Sequence, residues 1–540
     1  MLQDKLYSAI LQRYIELLLA DGQSLEFFIE GTRSRSGKML QPKMGLLTFV
    51  NNAVEKGIVK DVTIVPLTIN YEKIMEGNMY ASELSGERKI KESLSSLVRA
   101  RQVLNSNFGR TTLICGKPFS MKQWSADFAA KVAVPATVQR LSMSIAHQAL
   151  VAAPSATAAE ISAVAATVAT QLTDKKYRIR SMAHHVLHEL ALNIETMPVH
   201  IAATLMLQYR QGITAAQLQA KLVWVAKEVE LRGGATFGFE MESRESVMEQ
   251  AVSYLSDVLR KQNRNVFEPA ITARNEYNNM LVLGQYKNRL VHYFYREALW
   301  CVVIYALSKC DGPLHESPVE VAAALKEVGF LHALLQSEFV IKENPDEPED
   351  HVATLARMQE MGIVTLSADG ARVVVASTGE AHFSFMCSLL WPFVDSFYTA
   401  STMLYTLQPS RSIARDLLVT QTQWLATTLY HESMLSFFES CSKETLDNAF
   451  TVLKQLGVVR AASKESKKNV ALTFGKETSS GEALELCPAF QREEPLECLI
   501  GRISALRKQP PVVKAGSRRN MIADIPILAK LNPVSLVAKF

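Results

Sequence analysis

From about residue 177 to residue 457, apolar residues recur at three- and four-residue spacing with few interruptions, and this periodicity constrains the fold more than any other feature. Segments 182–195, 197–210, 214–231, 245–262, 276–310, 318–340, 350–361, 382–408, 411–439 and 442–457 each read as helix. So many apolar stripes can be buried only by stacking helix on helix. Residues 363–367 and 372–377 alternate instead around Asp369-Gly370, a hairpin signal. Residues 459–474, broken by a Lys/Ser run, read as a second strand pair.

The first 125 residues have a different rhythm. Residues 2–20 read as an amphipathic helix, with Leu2, Leu6, Ile10, Leu11, Tyr14, Ile15 and Leu18 on its apolar side. Ala20-Asp21-Gly22 stops it. A buried strand is expected over 25–29, a helix over 44–54, a strand over 62–69, a basic-faced helix over 93–105 and a strand over 111–115. Strand and helix alternate, which predicts an α/β layer. Residues 126–176 are Ala-rich and read as a linker with some helix. The expected organisation is thus an α/β unit over 1–125, a linker over 126–176 and a mostly helical region over 177–540.

The apolar run Phe27-Phe28-Ile29 ends abruptly in Glu30-Gly31-Thr32-Arg33-Ser34-Arg35-Ser36-Gly37-Lys38. Arg33, Arg35, Lys38 and Lys43 follow Glu30 with no acid among them. Gly31 permits a sharp turn and a close approach to a ligand. Guanidinium forks beside hydroxyls suit a phosphate, whose oxygens they match two at a time. A solvated basic turn is the other reading of the same residues. A nucleotide P-loop is excluded: five residues separate Gly31 from Gly37, and Met39 stands where that loop needs a hydroxyl.

Phe28–Arg35 resembles the third sequence block of the glycerol-phosphate acyltransferase superfamily. Ile64-Val65-Pro66-Leu67-Thr68-Ile69-Asn70-Tyr71 resembles its fourth block, a strand carrying a proline, and Pro42-Lys43-Met44-Gly45-Leu46-Leu47 joins the two. Residues 97–109, Tyr286-Lys287-Asn288-Arg289-Leu290-Val291 and Trp391-Pro392-Phe393-Val394-Asp395-Ser396-Phe397 are similar to the dihydroxyacetone-phosphate acyltransferase branch. The resemblance implies an α/β acyltransferase domain, incomplete at its N-terminus, followed by a mostly α-helical C-terminal region. It implies acyl-CoA as co-substrate, dihydroxyacetone phosphate or glycerol-3-phosphate as acceptor, and no metal or redox cofactor. Gly31, Thr32, Arg33, Ser34, Arg35 and Lys43 would hold the acceptor phosphate. Glu30 would fix the loop or orient Arg33, and Pro66 would lie on the acyl side.

In that superfamily the first block supplies a His-x4-Asp pair, whose His removes the acceptor proton. None of the eleven histidines here is followed by Asp five positions on. The expectation is an N-terminally truncated enzyme that is nearly inactive as it stands, since loss of the base costs about 10²–10⁴-fold. A scaffold that binds other ether-lipid enzymes is the non-catalytic alternative. His184, His185 and His188 share a helix without a third ligand and read as structural. No Gly-x-Ser-x-Gly elbow and no Gly-x-Gly-x-x-Gly occurs.

A net charge of +4 is too small to imply nucleic acid. Seven scattered cysteines form no CxxC pair, as in a reducing compartment. No apolar window approaches the roughly 20 residues of a spanning helix. Ala538-Lys539-Phe540 resembles the peroxisomal Ser-Lys-Leu address with a changed last residue. With the family resemblance it predicts a peroxisomal protein held peripherally on the membrane from the matrix side, with the mitochondrial outer membrane as the alternative. The basic stretch 500–520 reads as a tail, or as a surface for anionic lipid.

Overall fold

The computed structural model describes residues 4–87, 107–134, 138, 158–171, 174–239, 243–262, 266–269, 276–308, 313–340, 351–408, 411–462 and 482–508. The chain opens with α1 (Lys5–Ala20), capped by Asp4, whose carboxylate accepts from the Leu6 and Tyr7 amides. α2 (Gly45–Glu55), α3 (Gly77–Leu84) and α4 (Met121–Val132) follow. Between them lie four short strands, β1 (Thr63–Ile64), β2 (Leu67–Tyr71), β3 (Thr111–Cys115) and β4 (Phe119–Ser120).

Two corrections arise in this unit. Residues 25–29 form no strand: Ile29 is buried, but Phe28 is 73% exposed. Three apolar residues without a neighbouring strand have no ladder to join. The strand expected over 62–69 is split at Pro66, which has no N–H to offer a ladder. β1 pairs antiparallel with β4, and β2 antiparallel with β3, with Ile69 opposite Leu113. Among the described residues the expected α/β layer is therefore a pair of two-stranded antiparallel ribbons. The expected helix over 93–105 lies outside the described residues.

The β2–β3 ribbon is turned so that its polar side faces the protein. Thr68 Oγ1 donates to the Leu190 carbonyl at 3.1 Å and Asn70 Nδ2 to the Asn193 carbonyl at 3.1 Å. Its apolar side, Leu67, Ile69, Tyr71 and Leu113, is exposed.

The remaining helices are α5 (Ala158–Gln171), α6 (Lys175–Leu192), α7 (Pro198–Gln208), α8 (Ala215–Leu231), α9 (Arg244–Tyr254), α10 (Glu276–Lys287) and α11 (Val291–Leu307). Then come α12 (Val321–Leu335), α13 (His351–Glu360), α14 (Glu380–Met403), α15 (Arg415–His431), α16 (Lys443–Gln455) and α17 (Glu493–Ala505). α11 and α14 pack along each other at the centre, burying Phe294, Tyr295, Trp300, Phe385 and Phe397. This large core runs from α3 to α17. A second, smaller core joins Ile15, Ile29, Leu47 and Met121 to Ile179, Met182 and Leu187 of α6. The hairpin around Asp369-Gly370 is present, with Val364–Leu366 antiparallel to Arg372–Val375. Val459–Ala461 pairs with Ala483–Leu486, beyond the expected second hairpin.

The basic stretch from 500 begins as the end of α17, not as a tail. Arg502 pairs with Glu327 and covers the Phe330 ring, and Arg507 pairs with Asp395 at 2.6 Å. Residues 509–520 and Ala538-Lys539-Phe540 lie outside the described residues. Among the described residues no helix is long and apolar enough to cross a membrane.

Candidate functional site

The loop after Ile29 is held at both ends by its own backbone. The Gly31 amide donates to the Phe28 carbonyl at 2.9 Å, and the Lys43 amide to the Ile29 carbonyl at 2.8 Å. Gly31 has φ +67°, and a Cβ there would meet the Lys43 side chain at 2.8 Å. Glu30 turns inward and accepts the Leu40 amide at 2.7 Å. Burial pushes its carboxyl up, and the Leu40 bond opposes this in part. Glu30 therefore fixes the loop and does not touch Arg33.

The four cations of the loop part company. Arg33, Lys43 and Thr32 are exposed, and Arg35 is half-buried. Arg33 Nη1 pairs with Glu76 Oε1 at 2.8 Å, and Tyr80 stands beside it. Arg35 Nε pairs with Glu83. Glu76 immediately precedes α3 and Glu83 lies two turns on, so both arginines are laid along one face of that helix. Ser34 Oγ is enclosed and has no hydrogen-bond partner among the described residues.

Lys38 points the other way. It is 5% exposed and forms ion pairs with Glu338 and, at 3.6 Å, with Glu444. Burial favours the neutral amine, but the two carboxylates outweigh it and hold Lys38 charged. Ser36 donates to the same Glu444. Gly37, at φ +77°, sits so close to α10 that a Cβ would lie 2.0 Å from the Gln285 carbonyl oxygen. Lys38 is thus a buried anchor, unavailable to a ligand.

The segment ending α10 clasps both blocks. Tyr286 Oη accepts the Ile74 amide at 3.2 Å; Asn288 Nδ2 donates to the Ser36 carbonyl at 2.8 Å; Arg289 Nη1 donates to the Tyr71 carbonyl at 3.3 Å. Lys287 lies 3.6 Å from Glu439, which also binds Arg210. Burial pushes Lys287 down to about 8, against the pull of Glu439. The Lys38 and Lys287 ammonium groups both lie over the Phe393 ring, 5.3 and 5.7 Å from its centre. Beneath the loop is a cavity of about 20 Å³ lined by Ser36, Lys287, Asn288, Phe393, Glu439 and Ser442. It suits one water, which Asn288 Oδ1 and Ser442 Oγ, both unpaired, would bind.

Pro66 sits buried at the joint between β1 and β2, and its carbonyl accepts the Gly116 amide at 2.7 Å. Its strand runs on to Tyr71, whose carbonyl accepts from Arg289 at 3.3 Å. His185 packs its ring on Phe119 and Trp124.

Residues 80–462 match the family model described as the glycerol-3-phosphate acyltransferase C-terminal region, and residues 3–70 match that described as acyltransferase. The chain belongs to the glycerol-3-phosphate acyltransferase family. It is similar to the dihydroxyacetone phosphate acyltransferase of Mus musculus, 26% identical over 86% of this chain and 64% of the relative. It is also similar to the mitochondrial glycerol-3-phosphate acyltransferase 1 of Sus scrofa, 30% identical over 71% and 47%, and to that of Homo sapiens, 32% identical over 63% and 42%. The chain spans less than two-thirds of the length of these relatives. Within this family member the acyltransferase match ends at the β2 strand, and the C-terminal-region match begins in α3, the helix that holds both arginines.

Sequence reasoning singled out the loop but not Glu76, Tyr80, Glu83 or Gln285. Asn288 stood within the quoted Tyr286–Val291 stretch, but without a role.

Proposed function

We propose that this chain carries the acceptor-phosphate part of an acyl-CoA-dependent O-acyltransferase that acylates the sn-1 hydroxyl of dihydroxyacetone phosphate. The observation that carries the reading is the outward presentation of Arg33, with Arg35 beside it on the same helix face, from a loop whose Glu30, Ser36 and Lys38 are tied inward. Two guanidinium forks, the Lys43 ammonium and the unpaired Ser34 hydroxyl offer a phosphate dianion charge and directed donors. Held there, the acceptor has its hydroxyl fixed in position for attack on a thioester carbonyl, and the thiol of coenzyme A leaves. The residues of this chain bind and orient; the proton-accepting His-x4-Asp pair of the resemblance has no counterpart among its histidines. No metal or redox cofactor enters this chemistry.

In this reading the protein serves ether-lipid and glycerophospholipid synthesis, associates peripherally with the peroxisomal membrane and meets other ether-lipid enzymes there. Glycerol-3-phosphate as acceptor, at the mitochondrial outer membrane, is the second reading. The 30% identity with the porcine mitochondrial relative favours it. Calorimetric titration of the 540-residue chain with both acceptors separates the two. Dihydroxyacetone phosphate is expected to bind more tightly, and a clear preference for glycerol-3-phosphate reverses the assignment. Arg33→Ala and Arg35→Ala are each expected to weaken the preferred acceptor by about tenfold. Unchanged affinity in both variants removes the loop from the site.

A further inference from the structure

Arg289 differs from the ion-paired arginines of the helical region. Arg210, Arg232, Arg415, Arg502 and Arg507 each face a carboxylate. Arg289 is half-buried, and among the described residues its partner is the Tyr71 carbonyl, with no carboxylate. A partly buried cation without a counter-charge gives up hydration for no ion pair, so such a group points to an anion from outside the chain. The charged and titratable neighbours supply no such anion. Tyr71 and Tyr286 are phenols. His200 is neutral: burial, then the Arg289 charge itself, holds its pKa well below normal. His292, which hydrogen-bonds the Arg289 backbone, is pushed down to about 4 by burial.

The position also favours an anion. Arg289 immediately precedes α11, whose first amides have no intrahelical acceptor and whose dipole presents its positive end there. His292 Nε2, in the first turn, is buried without a partner among the described residues. Asn288, one residue before, holds the Ser36 carbonyl of the Arg33–Arg35 loop. Tyr71, which Arg289 touches, ends the strand that follows Pro66. Asn288-Arg289 thus links the backbone just after the arginine block to the end of the proline-bearing block, with the guanidinium on the Tyr71 side.

We propose that Arg289 is a phosphate-binding residue of this site, a third guanidinium supplied by the helical region to the two on the loop. The inference rests on the acyltransferase reading above. Its ligand is a phosphate group that both substrates carry, as the acceptor monoester or as a phosphate of coenzyme A.

The test is calorimetric titration of the full chain with glycerol-3-phosphate, dihydroxyacetone phosphate and coenzyme A, in wild type, Arg289→Met, Arg289→Lys and Arg33→Ala. Thermal unfolding of each variant checks the fold. Arg289→Met is expected to weaken at least one of the three ligands by about tenfold. Arg289→Lys, which keeps the charge and most of the packing, is expected to recover part of the loss and also serves if the methionine variant does not fold. Loss confined to the two acceptors places the residue on the acceptor; loss confined to coenzyme A places it on the donor. If Arg33→Ala weakens the acceptors while both Arg289 variants bind every ligand as wild type does, this inference falls and the loop assignment stands. If only the Arg289 variants weaken binding, Arg289 stands and the loop assignment falls.

Discussion

Glu76 and Glu83 hold Arg33 and Arg35 from one face of α3, and both compete with any anion for the same forks. A dianionic phosphate outbids a carboxylate in charge and matches the fork equally well. Glu83→Gln is expected to tighten acceptor binding about three- to tenfold. Weaker binding in a titration of that variant would instead make Glu83 the group that aims Arg35. Lys38 belongs to the opposite regime. Lys38→Met leaves Glu338 buried, and Glu444 beside it, without their cation, and urea titration is expected to show a loss of about 3–5 kcal/mol. Adding Glu338→Gln should recover part of it; no recovery would deny the pairing. Lys287 gives a pH signature. Its folded pKa of about 8 lies below the normal lysine value of 10.5, so the unfolded chain holds the proton more tightly between those limits. Its contribution to stability is full above pH 10.5 and is lost as the pH falls through about 8. Lys287→Met should flatten that slope, measured by denaturant midpoints across the window; an unchanged slope would assign it to other groups.

At the scale of elements, the loop is moulded against α10. At Gly37 an added methyl would meet the Gln285 carbonyl and would also have to accept φ +77°. Gly37→Ala is expected to destabilise the chain by about 2 kcal/mol or more, seen as a lowered thermal midpoint. Wild-type stability would mean that α10 can retreat. Much of this level was legible in the sequence. The hairpin around Asp369-Gly370 could be read because Asp-Gly sets the turn by itself. The helices could be read because burial repeats with their own period. Residues 276–310 looked like one helix and are two, α10 and α11, broken at Asn288 to Leu290. Period alone does not register a short break between buried stripes. The strand at 25–29 failed because a three-residue apolar run carries no sign of whether a partner strand exists. The strand over 62–69 was read through Pro66, and the later partners of β1 and β2 were invisible, since nothing local names them. At the site, the sequence disclosed the cations but not their allocation. Glu338 and Glu444 decide that Lys38 points inward, and they lie 300 and about 400 residues away.

Across the whole molecule, the loop at 30–38 is completed by distant parts of the chain. Its closing partners, Asn288, Glu338 and Glu444, stand 252, 300 and 408 positions later than the residues they hold. Contacts of that separation form late, because the intervening chain must be ordered before they can stabilise anything. Stopped-flow refolding should therefore show helical circular dichroism returning before acceptor binding does. Coincident recovery would mean that the loop takes shape without α10, α12 and its flank, and α16. The same separation sets a schedule during synthesis. Ser36 leaves the ribosome 408 residues before Glu444, and the loop acquires its shape only after Glu444 has followed, so a stalled or prematurely ended product carries the motif without the site.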